Sequence, residues 1–353
     1  MHEMVEGPER VTLGVDTHAA VHVAAALDER GRLLGTCSVA TTPAGLAELL
    51  AWVGQYGEVA QVGMEGTGSY GAGLARWLRA RGVAVVEVDR PDRRTRRRRG
   101  KSDTVDAEAA ARAVQAGIAT AQPKAGTGAR EMLRTLRVAR QSAVKARTQA
   151  ANQLHALVVT APEPLRTQLR RLTVLQLVAT AAACRPTAPL TTPTAAAKLA
   201  LKSIAVRYQQ LSAEIEALDR HLERLVAAAA PALVAVKGVG TDIAATLLTV
   251  AGDNPERLAS EGAFAHLCGA APIPASSGKT MRHRLNRGGD RDANSALHMA
   301  VIVRMRMDER TRAYVARRTA EGLSKLDIIR CLKRYLAREV FGLLRADQRP
   351  LPA

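Results

Sequence analysis

Between residues 11 and 120, short apolar runs alternate with amphipathic ones. "VTLGVDT" (11–17) and "VHVAAALDE" (21–29) have the β-rich, tightly bounded character of strands, and the turn at Arg30-Gly31 leads into a third candidate, "RLLGTCSVA". Residues 43–54 follow Pro43 and fit a helix opened by proline. "AQVGME" is a short strand ending at an acid, "GAGLARWLRARG" a helix closed by Gly82, and "VAVVEVD" a fifth strand. "DTVDAEAAARAVQAG" is a last helix, which Asp103 can cap and Gly117 can end. A three-strand meander followed by helix, strand, helix, strand, helix predicts a mixed α/β sheet domain.

From residue 127 to 230 the pattern is helical. Ile204, Tyr208, Leu211, Ile215, Leu218, Leu222 and Leu225 are spaced alternately by four and three, a heptad seam. It suits either an intramolecular hairpin with residues 130–158 or a dimerising coiled coil. "CRPTAPLTTPTAAAK" (184–198) reads as a loop or linker. Residues 231–345 form another mainly helical stretch. There Lys237-Gly238-Val239-Gly240 separates two apolar helical patterns, as in a helix-hairpin-helix element, whose glycines permit a tight turn and whose second helix offers backbone N–H groups to a phosphate. An ordinary interhelical turn is the plainer reading. The expected domains are 1–125, 126–230 and 231–353.

Charge narrows the function. Lys and Arg exceed Asp and Glu by enough to give a net charge of +18, which favours a polyanion, and nucleic acid above all. Aromatic residues are only 3% of the chain, so base stacking is not the expected main binding mode. Cys37, Cys184, Cys268 and Cys331 are isolated and form no zinc-type pair. The polar start, and the lack of any apolar run of spanning length, make a cytoplasmic protein without membrane attachment the expectation.

Acids mark the candidate chemistry. Asp16 ends the first strand and Glu65 the fourth, while Asp103 and Asp106 share one face of the last helix. Strand ends and a helix start can converge on one sheet edge. Four converging carboxylates repel one another and call for cations, and two Mg²⁺ ions suit them, as in two-metal phosphodiester cleavage. Beside them runs "DRPDRRTRRRRGKSD" (89–103), where Arg96, Arg97, Arg98, Arg99 and Lys101 are candidate backbone contacts.

A second candidate lies in "PIPASSGKTMRHRLNRGGD" (272–290). It contains Gly-Lys-Thr, but Ile273 stands where a phosphate-binding loop needs its first glycine, which argues against ATP hydrolysis. Lys279, Arg282, Arg284, Arg287 and the following Arg291 can contact a nucleic-acid backbone.

Strand-Asp, strand-Glu and helix DxxD in that order resemble a ribonuclease-H-like (RuvC-like) nuclease domain. "VGMEGTGSYG" and "KSDTVDAEAAA", with "VKGVGTDIAATLL" and "FAHLCGAAPIPASSGKTMRHRLNRGGDRDANSALHMA" further on, resemble the DEDD transposases of the insertion sequence one-ten family. The resemblance implies that Asp16, Glu65, Asp103 and Asp106 form the acidic tetrad. It also implies that Ser277, or its neighbour Ser276, is a nucleophile forming a serine–DNA link. It further implies donor and target DNA as substrates, a structured guide RNA, and dimers assembling into tetramers. Two other readings stand beside it: a Mg²⁺ nuclease or junction resolvase in which water attacks, and a non-catalytic architectural nucleic-acid-binding protein.

Overall fold

A computed structural model describes residues 10–88, 100, 102–185 and 189–346. The described chain divides into two compact units. One comprises the residues up to Gly128 together with Ala251–Ala259, the other Ala129–Val250 together with the residues from Ser260 onward.

In the first unit, β1 (Arg10–Thr17), β2 (Val21–Leu27) and β3 (Leu33–Ala40) form the antiparallel meander. Helix α1 (Pro43–Gly54) leads to β4 (Glu58–Met64), and α2 (Ala72–Arg79) to β5 (Val85–Glu87), both strands parallel to their neighbours. The order β3-β2-β1-β4-β5 places β1 at the centre of a five-stranded mixed sheet. Alternation along β1 decides what each face carries. Val11, Leu13 and Val15 pack with Leu46, Leu49 and Val53 of α1 and with Leu74 and Leu78 of α2.

Helix α3 (Asp103–Gln115) packs over β1, β2 and β4 on the opposite face. It sits close because Gly14 and Gly63 have no side chain: a Cβ on Gly14 would lie 2.0 Å from the Ala107 carbonyl oxygen, and one on Gly63 2.5 Å from that of Ala110. Ser102, not Asp103, caps α3, its hydroxyl accepting the Val105 N–H at 3.3 Å. Asp103 is therefore the first helical residue.

A strap from much later in the chain completes this unit. The Asn254 side chain accepts the Ala125 N–H at 3.0 Å and donates to the Pro123 carbonyl at 3.1 Å, while Arg257 Nε donates to the Gln122 carbonyl.

The second unit is mainly helical. Helix α4 (Ala129–Thr160) is followed by the short α5 (Leu165–Leu169) and α6 (Val174–Ala182), and α7 (Pro193–Ala229) packs along α4. The pair is antiparallel: Leu154 and Val158 near the end of α4 meet Leu201 and Ala205 near the start of α7, and Arg140 is paired with Asp219. Helix α7 begins five residues before the end of the expected linker, because Thr192 caps it through the Ala195 N–H and Pro193 fills its first position.

Next come α8 (Pro231–Val234), α9 (Thr241–Ala251) and α10 (Glu261–Leu267), then the two-residue strands β6 (Ile273–Pro274) and β7 (His283–Arg284). Helices α11 (Arg291–Met307), α12 (Glu309–Ala320) and α13 (Lys325–Ala346) close the unit, with α10 and α11 packed on α13. No described helix is long and apolar enough to cross a membrane.

Candidate active site

The acids expected at one edge are carried by three elements. Val15 and Met64 pair across the parallel strands β1 and β4, so Asp16 and Glu65 follow side by side at the strands' carboxyl ends. The junction is fixed twice: the Glu65 N–H donates to the Val15 carbonyl at 3.4 Å, and the Thr17 hydroxyl donates to the Glu65 carbonyl at 2.9 Å. Asp103 and Asp106 occupy the first turn of α3, where the positive end of the helix dipole favours carboxylates.

Asp16 is close enough to Asp103 and Asp106 to register both as like charges. Burial, first, and then these two neighbours hold its carboxyl above the ordinary carboxylate range, while His18 opposes the shift. His18, which the sequence reading passed over, sets its Nε2 3.3 Å from Asp16 Oδ2 and 3.4 Å from Asp103 Oδ2. A half-buried carboxylate crowded by two others, with hard oxygen donors supplied by a strand and a helix, suits a divalent cation, which relieves both the burial and the repulsion. Asp106 is itself buried, so its charge is poorly screened by water.

Ser277 belongs to the second unit. Strands β6 and β7 pair through Ile273–Arg284 and Pro274–His283, and the ladder extends to a bridge between Ser277 and Thr280. Gly278 takes φ +55° while Lys279 stays in the ordinary region, which suits a two-residue hairpin turn with glycine first. The second candidate stretch is thus a hairpin with the serine at its tip. The two serines differ. The Ser276 hydroxyl is tied into the ladder, accepting the Arg282 N–H at 3.1 Å and donating to the Arg282 carbonyl at 3.3 Å. Ser277 is exposed, and its hydroxyl makes no hydrogen bond among the described residues.

The base of the hairpin is held by residues that sequence reasoning missed. Asn286 Nδ2 donates to the His266 carbonyl at 2.7 Å, Asp290 caps α11 through the Ala293 N–H, and Asn294 Nδ2 donates to the carbonyls of Cys268 and Gly269. Lys333 Nζ donates to Asn294 Oδ1 at 2.9 Å, and burial lowers the ammonium's pKa. Lys279, Arg282, Arg284, Arg287 and Arg291 are all exposed. A cavity of about 1000 Å³ opens beside them, lined by Arg284, Arg287, Arg291, His298, Lys333 and Tyr335 among others.

The remaining candidates are less clear-cut. Arg96, Arg97, Arg98, Arg99 and Lys101 lie outside the described residues. Gly238, at φ +80°, faces the Ala300 carbonyl of α11, and Arg304 Nε donates to the Lys237 carbonyl at 2.8 Å. Lys237 Nζ stands 3.6 Å from Asp308, and Gly240 has open space where a Cβ would project.

A family model of the DEDD class, described as transposase, matches residues 13–161, the stretch that carries Asp16, Glu65, Asp103 and Asp106. A second model, described as transposase of the IS116/IS110/IS902 family, matches residues 230–316. The chain belongs to the IS110 family of transposases. It is also similar to the insertion element IS110 uncharacterized 43.6 kDa protein of Streptomyces coelicolor, with 27% identity over 150 residues. That match covers 42% of this chain and 37% of the relative, so the chain spans little more than a third of the relative's length.

Proposed function

We propose that the protein is a DNA transposase that cuts and rejoins phosphodiesters through a covalent link to Ser277. The observation that carries this reading is that one chain holds both a crowded carboxylate cluster in its first unit (Asp16, Asp103, Asp106 and the adjacent Glu65) and, in its second, a hairpin that presents one unengaged serine. The acids would hold Mg²⁺ as a two-ion site, which when bound supplies Lewis-acid stabilisation of charge on the scissile phosphate.

Ser277 Oγ attacks phosphorus. The Oγ–P bond forms as the P–O bond to one DNA end breaks; the hydroxyl proton passes to solvent at the exposed hairpin tip, and the departing DNA oxygen takes one up. A hydroxyl on another DNA end later attacks the phosphoserine, re-forming a P–O bond and returning the serine. Bond energy is conserved for joining, which a water-driven nuclease does not achieve. Lys279, Arg282, Arg284, Arg287 and Arg291 neutralise backbone charge around the serine. In this reading Arg96, Arg97, Arg98, Arg99 and Lys101, which precede Asp103 in sequence, also contact the nucleic-acid backbone, and Lys237-Gly238-Val239-Gly240 is a helix-hairpin-helix phosphate contact.

The partners in this reading are donor and target DNA and a structured RNA encoded by the element, with the charge of +18 supplying affinity for all three. The α4–α7 pair serves a homodimer that assembles into a tetramer in the cytoplasm. The test is strand joining in vitro with Mg²⁺, using element-end DNA and RNA co-purified with the protein. Joined products that vanish in Ser277→Ala and Asp16→Asn support the reading. Cleavage without joining, unchanged in Ser277→Ala, selects the water-driven nuclease instead. Absence of any specific co-purified RNA, with joining intact, removes the guide.

A further inference from the structure

A DEDD cluster is an all-oxygen donor set, yet a nitrogen stands within this one. His18 follows the last residue of β1, two positions after Asp16. Side chains two apart along an extended strand lean to the same face. Here the residue between them is fixed: Thr17 donates its hydroxyl to the Glu65 carbonyl and pairs with His22 of β2. Asp16 and His18 therefore flank an anchored position, and Asp103 meets them from the first turn of α3. One donor atom from each of the three lies within 4.8 Å of the other two.

First-row divalent cations hold carboxylate oxygen and imidazole nitrogen at about 2.0–2.2 Å, so neighbouring donors on one cation stand roughly 3 to 3.5 Å apart. The separations of 3.3 Å and 3.4 Å from His18 Nε2 to the two carboxylates have that length. We propose that His18 is a direct ligand of the cation shared by Asp16 and Asp103, giving the site a mixed nitrogen–oxygen donor set that favours Mn²⁺ over Mg²⁺. The inference rests on the reading of the acidic cluster as a cation site. Mg²⁺ strongly prefers oxygen donors and keeps its waters, whereas Mn²⁺ accepts imidazole more readily. The rival arrangement keeps His18 outside the coordination sphere, donating to the carboxylates while oxygen alone binds the metal.

The test uses the full chain with Mn²⁺ as both ligand and spectroscopic probe. Pulsed electron paramagnetic resonance of the Mn²⁺-loaded protein should show a directly bonded imidazole ¹⁴N coupling that disappears in His18→Asn. Titration should show Mn²⁺ affinity falling at least about tenfold in His18→Asn, as loss of a ligand or of its close support does. Mg²⁺ affinity should fall by less than about threefold, since Mg²⁺ can replace the imidazole with water. Asp16→Asn is the control for the site itself. If it leaves Mn²⁺ affinity unchanged, the cation-site reading fails. If it abolishes binding while the ¹⁴N coupling is absent from the unsubstituted protein, or survives in His18→Asn, the ligand role of His18 alone is overturned. Equal losses for Mn²⁺ and Mg²⁺ in His18→Asn overturn the claimed preference.

Discussion

Gly14 sets how close the acid-bearing helix comes to the acid-bearing strand. A Cβ added there would sit 2.0 Å from the Ala107 carbonyl oxygen, 2.4 Å from the Ala111 nitrogen and 2.9 Å from Ala111 Cβ. Two of these are backbone atoms and cannot rotate aside. To regain ordinary contact at 3.4 Å the helix must retreat by about 1.4 Å, taking Asp103 and Asp106 with it. Overpacking of this kind costs about 1–3 kcal/mol, or roughly 3–10 °C in the thermal transition of a unit this size. A displacement above about 1 Å at reacting groups costs on the order of a hundredfold in rate. Gly14→Ala should therefore lower the first thermal transition and reduce DNA strand transfer about a hundredfold. Gly73→Ala is the control: it lies in α2, a Cβ there meets nothing within 4 Å, and it should stabilise by about 0.5–1 kcal/mol with activity intact. Gly14→Ala protein with unchanged melting and unchanged strand transfer would refute the claim that helix–sheet distance positions the acids.

Three further outcomes follow from other parts of the structure. The Glu261 carboxyl is held down to about 2, first by its hydrogen bonds from Arg334 and then by Arg338. Its folded pKa is depressed, so its contribution is full above the ordinary carboxylate range and is lost as pH falls from about 4.5 toward 2. Glu261→Gln should flatten that acid limb of the melting profile while lowering stability at neutral pH. Asn254→Ala should destabilise the first unit by about 1–3 kcal/mol in chemical unfolding, since it strips partners from the Ala125 N–H and the Pro123 carbonyl. Arg284→Ala and Arg287→Ala should each reduce the slope of DNA affinity against salt by about one phosphate contact, measured by fluorescence anisotropy.

The sheet domain was legible because its strands are short apolar runs bounded by turn residues, and because α3 begins at a polar cap and ends at Gly117. Asp16 and Glu65 could be placed at strand ends for the same reason. What escaped was mostly non-local or locally ambiguous. Thr192-Pro193 looks like linker composition, yet it is a cap and a first-turn proline. Along α7 only Ile215 and Leu222 of the expected heptad are fully buried. The buried stripe is Leu201, Ala205, Ile215, Leu222 and Val226, because an α4 face built from Ala143, Ala150, Leu154 and Val158 shifts the line of closest packing. Two-residue strands carry no readable period, so the hairpin that presents the serine was not legible as one. His18 is a single histidine past a strand end, and only the fold brings it to Asp103. The strap at Asn254 joins positions 129 and 131 residues away, a distance no local pattern spans.

The central claim concerns the covalent role of Ser277, and trapping that link tests it most directly. The protein is incubated with Mg²⁺, RNA and an element-end DNA carrying a nick that prevents rejoining, then digested and mapped by mass spectrometry. The account predicts a nucleotide adduct on the peptide containing Ser276 and Ser277, with fragment ions placing it on Ser277. The adduct should be lost in Ser277→Ala and in Asp16→Asn and retained in Ser276→Ala. DNA cut by the unsubstituted protein with no adduct, and cut equally well by Ser277→Ala, would contradict it.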